Sequence, residues 1–131
     1  MTIQRSNPDG LSKPQAYSQL VVAAGSRLVF VAGQVAADAA GNVVSEGDLE
    51  GQARQAFSNL ATALASAGAG PADVTKITIF VVHYSAEHLP AIGEARRALF
   101  GDTLPASTLL GVEALARPEF LIEVEATAVL D

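Results

Sequence analysis

The chain has 131 residues, half of them apolar, with eight Lys and Arg against fourteen Asp and Glu, a formal net charge of −6 and no cysteine. That balance speaks against nucleic acid and anionic membranes. Phosphate neutralisation needs clustered cations, and Arg96-Arg97 is the one basic doublet. The absence of cysteine excludes disulfides, thiolate nucleophiles and Cys-ligated metals, so small molecules and further copies of the chain are the expected partners.

Residues 1–131 are read as one domain, of a length at which roughly two-thirds of the unfolded surface leaves water. The first ten residues are polar and no apolar run approaches the ~20 residues of a membrane span, so the cytosol is the default location. Residues 1–16, broken by Pro8, Gly10 and Pro14, read as an irregular arm with a short strand at Thr2–Arg5. Tyr17–Ala23 and Arg27–Gln34 are β-rich runs separated by Ala24-Gly25-Ser26, a spacing that suggests a hairpin. Val43-Val44 reads as a strand stub after a turn at residues 39–42.

Asp48 offers an N-cap for a long helix whose apolar stripe is Leu49, Ala53, Ala56, Phe57, Leu60 and Leu64. Gly68 and Gly70-Pro71 end it. Val74–Val82 alternates and then turns continuously apolar, as a strand entering a sheet centre does. Ser85 is placed to cap a second helix over Ala86–Phe100, with Leu89, Ile92, Ala95 or the Arg96 stem, and Leu99 facing the core. Thr108–Val112 and the alternating Phe120–Leu130 complete the order β-β-α-β-α-β-β. The expectation is an α+β domain, one sheet with two helices on one face. The uncovered face would expose apolar area unless another copy packs there, so a homo-oligomer is expected, with pockets at its subunit clefts.

Few residues carry obvious chemistry. Phosphate-loop, dinucleotide and nucleophile-elbow patterns are missing, and His83 and His88 read as a solvated loop residue and a first-turn helix residue rather than metal ligands. Glu123 and Glu125 stand two apart on one strand and share a face. Both fit a solvated strand face, Glu125 the better of the two. If an oligomer covers that face, desolvation would bring a carboxylate into the range useful for acid–base work. Gly33 at a strand end reads as a bend or bulge that also lets a ligand approach the backbone, and Tyr17 reads as either a packed aromatic or a pocket wall with a hydroxyl.

In order and spacing, Tyr17-Ser18-Gln19, Val31–Gln34, Gln52–Leu60, Lys76–Val82, Leu104-Pro105-Ala106 and Ile122–Ala126 resemble the RidA/YjgF family over roughly residues 15–130. The pairing of Pro-Ala-x-[Ser/Thr] with Ile-Glu-Val-Glu-Ala is the more specific part. The resemblance implies a chorismate-mutase-like α+β fold and homotrimers whose sheets pack inward as a barrel. It further implies ligand clefts between subunits and hydrolysis of enamines and imines to 2-oxo acids and ammonia, without metal or organic cofactor. On the same footing Glu123 positions or activates water, Gly33 supplies backbone contacts and Tyr17 lines the cleft. The chain departs from the deaminating branch at one place, where Ser107, followed by Thr108, stands for the arginine that grips a substrate carboxylate. A neutral serine bond is worth ~0.5–1.5 kcal/mol, and a charge-assisted bond of the arginine fork roughly twice that. Two functions stay open at this level. One is a deaminase-type hydrolase using Glu123, with Ser107 and Thr108 contacting the ligand. The other is a non-catalytic trimeric module that binds a small metabolite. A purely structural association has no feature of its own, and Arg117, in the loop before the last strand, reads first as a surface loop charge, with replacement of the missing cation as the alternative.

Overall fold

Alternation and helical periodicity decide most of the elements. The computed structural model describes residues 2–131, with strands β1 (Thr2–Ser6), β2 (Leu20–Ala24), β3 (Arg27–Gln34), β4 (Val74–Val82), β5 (Ala106–Val112) and β6 (Ile122–Leu130). Helices α1 (Leu49–Ser66) and α2 (Leu89–Phe100) lie between them. The main sheet runs β3-β6-β4-β5, antiparallel except for the parallel β4–β5 pair. This is the expected α+β arrangement of two helices on a mixed sheet. No helix among the described residues is long and apolar enough to cross a membrane.

Period-two burial on the central strands sets the two faces. Ile77, Ile79 and Val81 of β4 and Ile122, Val124, Ala126 and Ala128 of β6 turn toward the helices and are buried. Ala53, Ala56, Phe57, Leu60 and Leu64 of α1 and Ile92, Ala95 and Phe100 of α2 meet them. Each Val, Leu, Ile or Phe side chain of this core contributes ~1.5–3 kcal/mol when fully buried, which is why the stripe of α1 settles where its spacing predicts. Gln52, fully buried on α1, donates from Nε2 to the Glu119 carbonyl at 2.9 Å and accepts from the Leu121 N–H at 2.9 Å. It ties the first turn of the helix to the start of β6.

The other face carries Phe80 and Thr78 of β4 opposite Glu123 and Glu125 of β6. Phe30, opposite Thr127, is 74% exposed there, and Leu28 and Leu110 are exposed too.

Four expectations change. Residues 17–23 and 27–34 do not pair as a hairpin: β2 pairs with β1 in a separate two-stranded ribbon, while β3 pairs with β6. Gly25 lies so close to the Leu130 carbonyl that a side chain there would collide, and the Ser26 N–H donates to that carbonyl at 2.9 Å. The connection is thus pinned to the end of β6 and sends the chain from one sheet to the other. Val43 makes only an isolated bridge to Ala37. Asp48 and Ser85 precede helical turns without a side-chain cap, and Ala86–His88 is a separate 3₁₀ turn before α2.

Candidate functional site

Glu123 and Gly33 come together. The β3–β6 register slips between Val31 and Gln34, and in that irregular stretch Gly33 lies against the Glu123 side chain. A Cβ at Gly33 would stand 2.5 Å from Glu123 Cδ and Oε1, so only glycine leaves the carboxylate its place. Burial, and secondarily the charge of Glu125, push the Glu123 carboxyl above the usual carboxylate range. Glu125 itself is exposed.

Tyr17 and Ser107 form a second group. The Ser18 N–H donates to the Pro105 carbonyl at 3.1 Å, Ser18 Oγ donates to the Leu104 carbonyl at 2.7 Å, and Ser18 bridges in parallel to Ala106. These bonds hold the arm against the outer edge of β5, next to Tyr17. Ser107 pairs with Ile77 and Leu109 with Ile79, so both face the helices. A recess of about 270 Å³ opens there, lined by Ala16, Tyr17, Ile79, Leu89, Arg96, Ser107 and Leu109.

Thr108 points the other way. It pairs with Thr78, and Lys76 Nζ donates to Thr108 Oγ1 at 2.6 Å on the uncovered face. Neighbours on a strand take opposite faces, so Ser107 and Thr108 of one copy do not address one point. By the same parity Glu123 and Ser107 lie on opposite faces. Two half-sites result: Gly33 with Glu123 on the open face, and Tyr17 with Ser107 under α2.

Arg117 joins neither group. Its Nη1 donates to the Gly41 carbonyl at 3.1 Å, Nε lies 3.7 Å from Glu119 Oε2, and the guanidinium stacks 5.3 Å from the Phe120 ring centre. His83 is exposed with φ 49°, and His88 Nδ1 accepts from the Ser85 N–H at 3.1 Å beside the Tyr84 ring. Among the described residues no three of His, Asp or Glu converge as metal ligands. Arg96, of which sequence reasoning saw only the stem, lines the recess beside Tyr17 and Ser107. The available signal was a cation on the core-facing stripe of α2, one turn after Gly93.

Comparison with known proteins bears on the family and the fold. Residues 9–130 match the family model described as endoribonuclease L-PSP. A Rid-family protein of unknown function from Yersinia pestis has the same fold, with a TM-score of 0.93, 40% identity and coverage of 99% of this chain and 100% of that one. A 2-iminobutanoate/2-iminopropanoate deaminase of Rattus norvegicus is 32% identical over 114 residues, 87% of this chain and 80% of its own. A RutC family protein of Pyrococcus horikoshii is 31% identical over 112 residues, 86% of this chain and 85% of its own.

Proposed function

This chain belongs to the RidA/YjgF family, whose model is described as endoribonuclease L-PSP, and we propose from that premise that it is a deaminase-type hydrolase. Its substrate would be an imine or enamine of a small metabolite. The observation that carries the reading is Glu123, a half-buried carboxyl of raised pKa held against Gly33 on a face open to ligand. A base tuned upward toward neutrality takes a proton from water more effectively than an ordinary surface carboxylate. Water oxygen would bond to the imine carbon as Glu123 accepts its proton. That proton passes to the nitrogen to give a carbinolamine. Glu123 then relays the carbinol hydroxyl proton to the amine as the C–N bond breaks, so that ammonia leaves and the carbonyl remains. An enamine first takes a proton at carbon to become the imine. No step calls for a cofactor or metal.

The half-sites of one copy face apart, so the complete site forms in a cleft between copies, and a homotrimer is the assembly we propose. Exposed Phe30, Leu28 and Leu110 on the open face support this, since apolar area of that kind favours a covering partner. The acidic balance supports a small molecule over RNA, despite the family model's description. Ser107 in the place we assign to the family's arginine favours the second reading, a trimeric binding protein without catalysis, because serine brings no charge to hold a 2-imino acid.

The test is to generate 2-aminoacrylate in the presence of the protein and follow pyruvate and ammonia. Acceleration that is lost in Glu123→Ala is expected. Equal rates with and without the wild-type protein would leave the binding module as the better account.

A further inference from the structure

We propose that Arg96 makes the recess under α2 a carboxylate-binding subsite, taking a small organic anion with a short apolar tail. Arg96 sits on α2 with its Nε buried and without a hydrogen-bond partner, and no acidic group lies within ion-pair distance of it among the described residues. A half-buried guanidinium whose buried Nε has no acceptor and which has no counter-charge is unfavourable, and structures normally pair such groups. Here the free groups adjoin a recess instead.

The surroundings suit an anion that also carries hydrocarbon. Tyr17 and Ser107 offer two neutral hydroxyl donors along the same lining, while Ile79, Leu89 and Leu109 supply apolar wall. Arginine's planar fork matches a carboxylate with two parallel bonds. Gly93, one turn earlier, keeps the helix surface low where the guanidinium lies: a Cβ there would be 3.6 Å from Arg96 Nη2 and 3.2 Å from Arg97 Nη1. The neighbouring recess, which Arg96 also borders, is lined by one further cation, Arg97, and one acid, Asp102. Desolvation, then repulsion by Arg97, lowers the Arg96 pKa from its ordinary value, the direction expected of a cation without its anion. Arg117, by contrast, already has Glu119 and the Gly41 carbonyl as partners.

The inference deepens the proposed function, because the anion would be the substrate's carboxylate, and it rests on that reading for the reaction alone. Its test is binding to the intact protein of 2-oxobutanoate and of its neutral amide, 2-oxobutanamide, by calorimetry. Arg96→Gln should weaken 2-oxobutanoate about tenfold or more, the loss expected for a charge-assisted pair, and leave the amide unchanged. Arg96→Lys should keep part of the preference for the acid. Should Arg96→Gln misfold, the Arg96 Nε resonance of the wild-type protein should shift on titration with 2-oxobutanoate. An unshifted resonance, equal affinity of wild type and Arg96→Gln for 2-oxobutanoate, or no binding of 2-oxobutanoate by the wild type would each overturn the proposal. The two readings separate cleanly. Arg96-dependent binding without deamination retains the subsite and removes the Glu123 chemistry. Deamination of 2-aminoacrylate undiminished by Arg96→Gln does the reverse.

Discussion

At Glu123 the decisive quantity is a few tenths of a nanometre of backbone clearance. Gly33→Ala would put a methyl group within 2.5 Å of the carboxyl, whose flexible end can swing aside. Stability should therefore fall by no more than about 1 kcal/mol, while the carboxylate leaves its position. A near-normal thermal melt together with loss of any Glu123-dependent activity is the expected pair of results; a lost fold would show that Gly33 serves packing instead. Titration supplies the second residue-scale prediction. The Glu123 pKa is raised above its ordinary 4.5, with desolvation first and Glu125 second. The folded state thus holds this proton to higher pH than the unfolded chain, and stability declines as pH rises through the interval between the two values. Glu123→Gln should melt higher than wild type above that interval, with the advantage fading below pH 4.5. Glu125→Gln should bring the Glu123 carboxyl partway back, which a carbon-13 carboxyl titration reads directly.

One side chain at the scale of elements links helix to site. Gln52 joins α1 to the Glu119 carbonyl and the Leu121 N–H, two residues before Glu123. Gln52→Leu keeps the bulk and orphans both backbone groups, at about 1–3 kcal/mol for each that stays buried and dry. A lower denaturation midpoint with unchanged denaturant slope is expected. In the packed stripe, Leu60→Ala should cost about 2–5 kcal/mol, because α1 and the sheet leave that side chain fully buried. Helix α1 was the most legible element, since six apolar residues at helical spacing leave little choice of face. The β1–β2 ribbon was the least. Residues 20–24 and 27–34 are both extended, and nothing local in them says that the first pairs with the arm and the second with the C-terminal strand.

For the whole molecule the open face sets the expectation. Phe30→Glu places a charge in the middle of the area we propose is covered by another copy. Sedimentation should move from trimer toward monomer while the far-ultraviolet dichroism of the helices persists; an unchanged sedimentation coefficient would place the interface elsewhere. Assembly and chemistry should fail together in this variant, because the Tyr17–Ser107 group and the Glu123–Gly33 group of one copy face opposite ways.

Much of this protein is determined by the sequence alone. The two helices, the strand alternation, the acidic balance that disfavours nucleic acid, and the family pattern ending in Ile122–Ala126 all follow from residue type and period, which act locally. The i, i+2 spacing also placed Glu123 and Glu125 on one strand face, while the choice of Glu123 as a candidate base came from the family resemblance. What only the tertiary structure decided is relational. Strand parity turned Ser107 toward α2 and Thr108 away from it, and a one-residue shift would have exchanged them. Register and a bulge brought Gly33 to Glu123. Helix packing put the unpaired Arg96, rather than Arg117, beside Tyr17 and Ser107. These outcomes depend on contacts between segments far apart in the chain, and no local pattern encodes them.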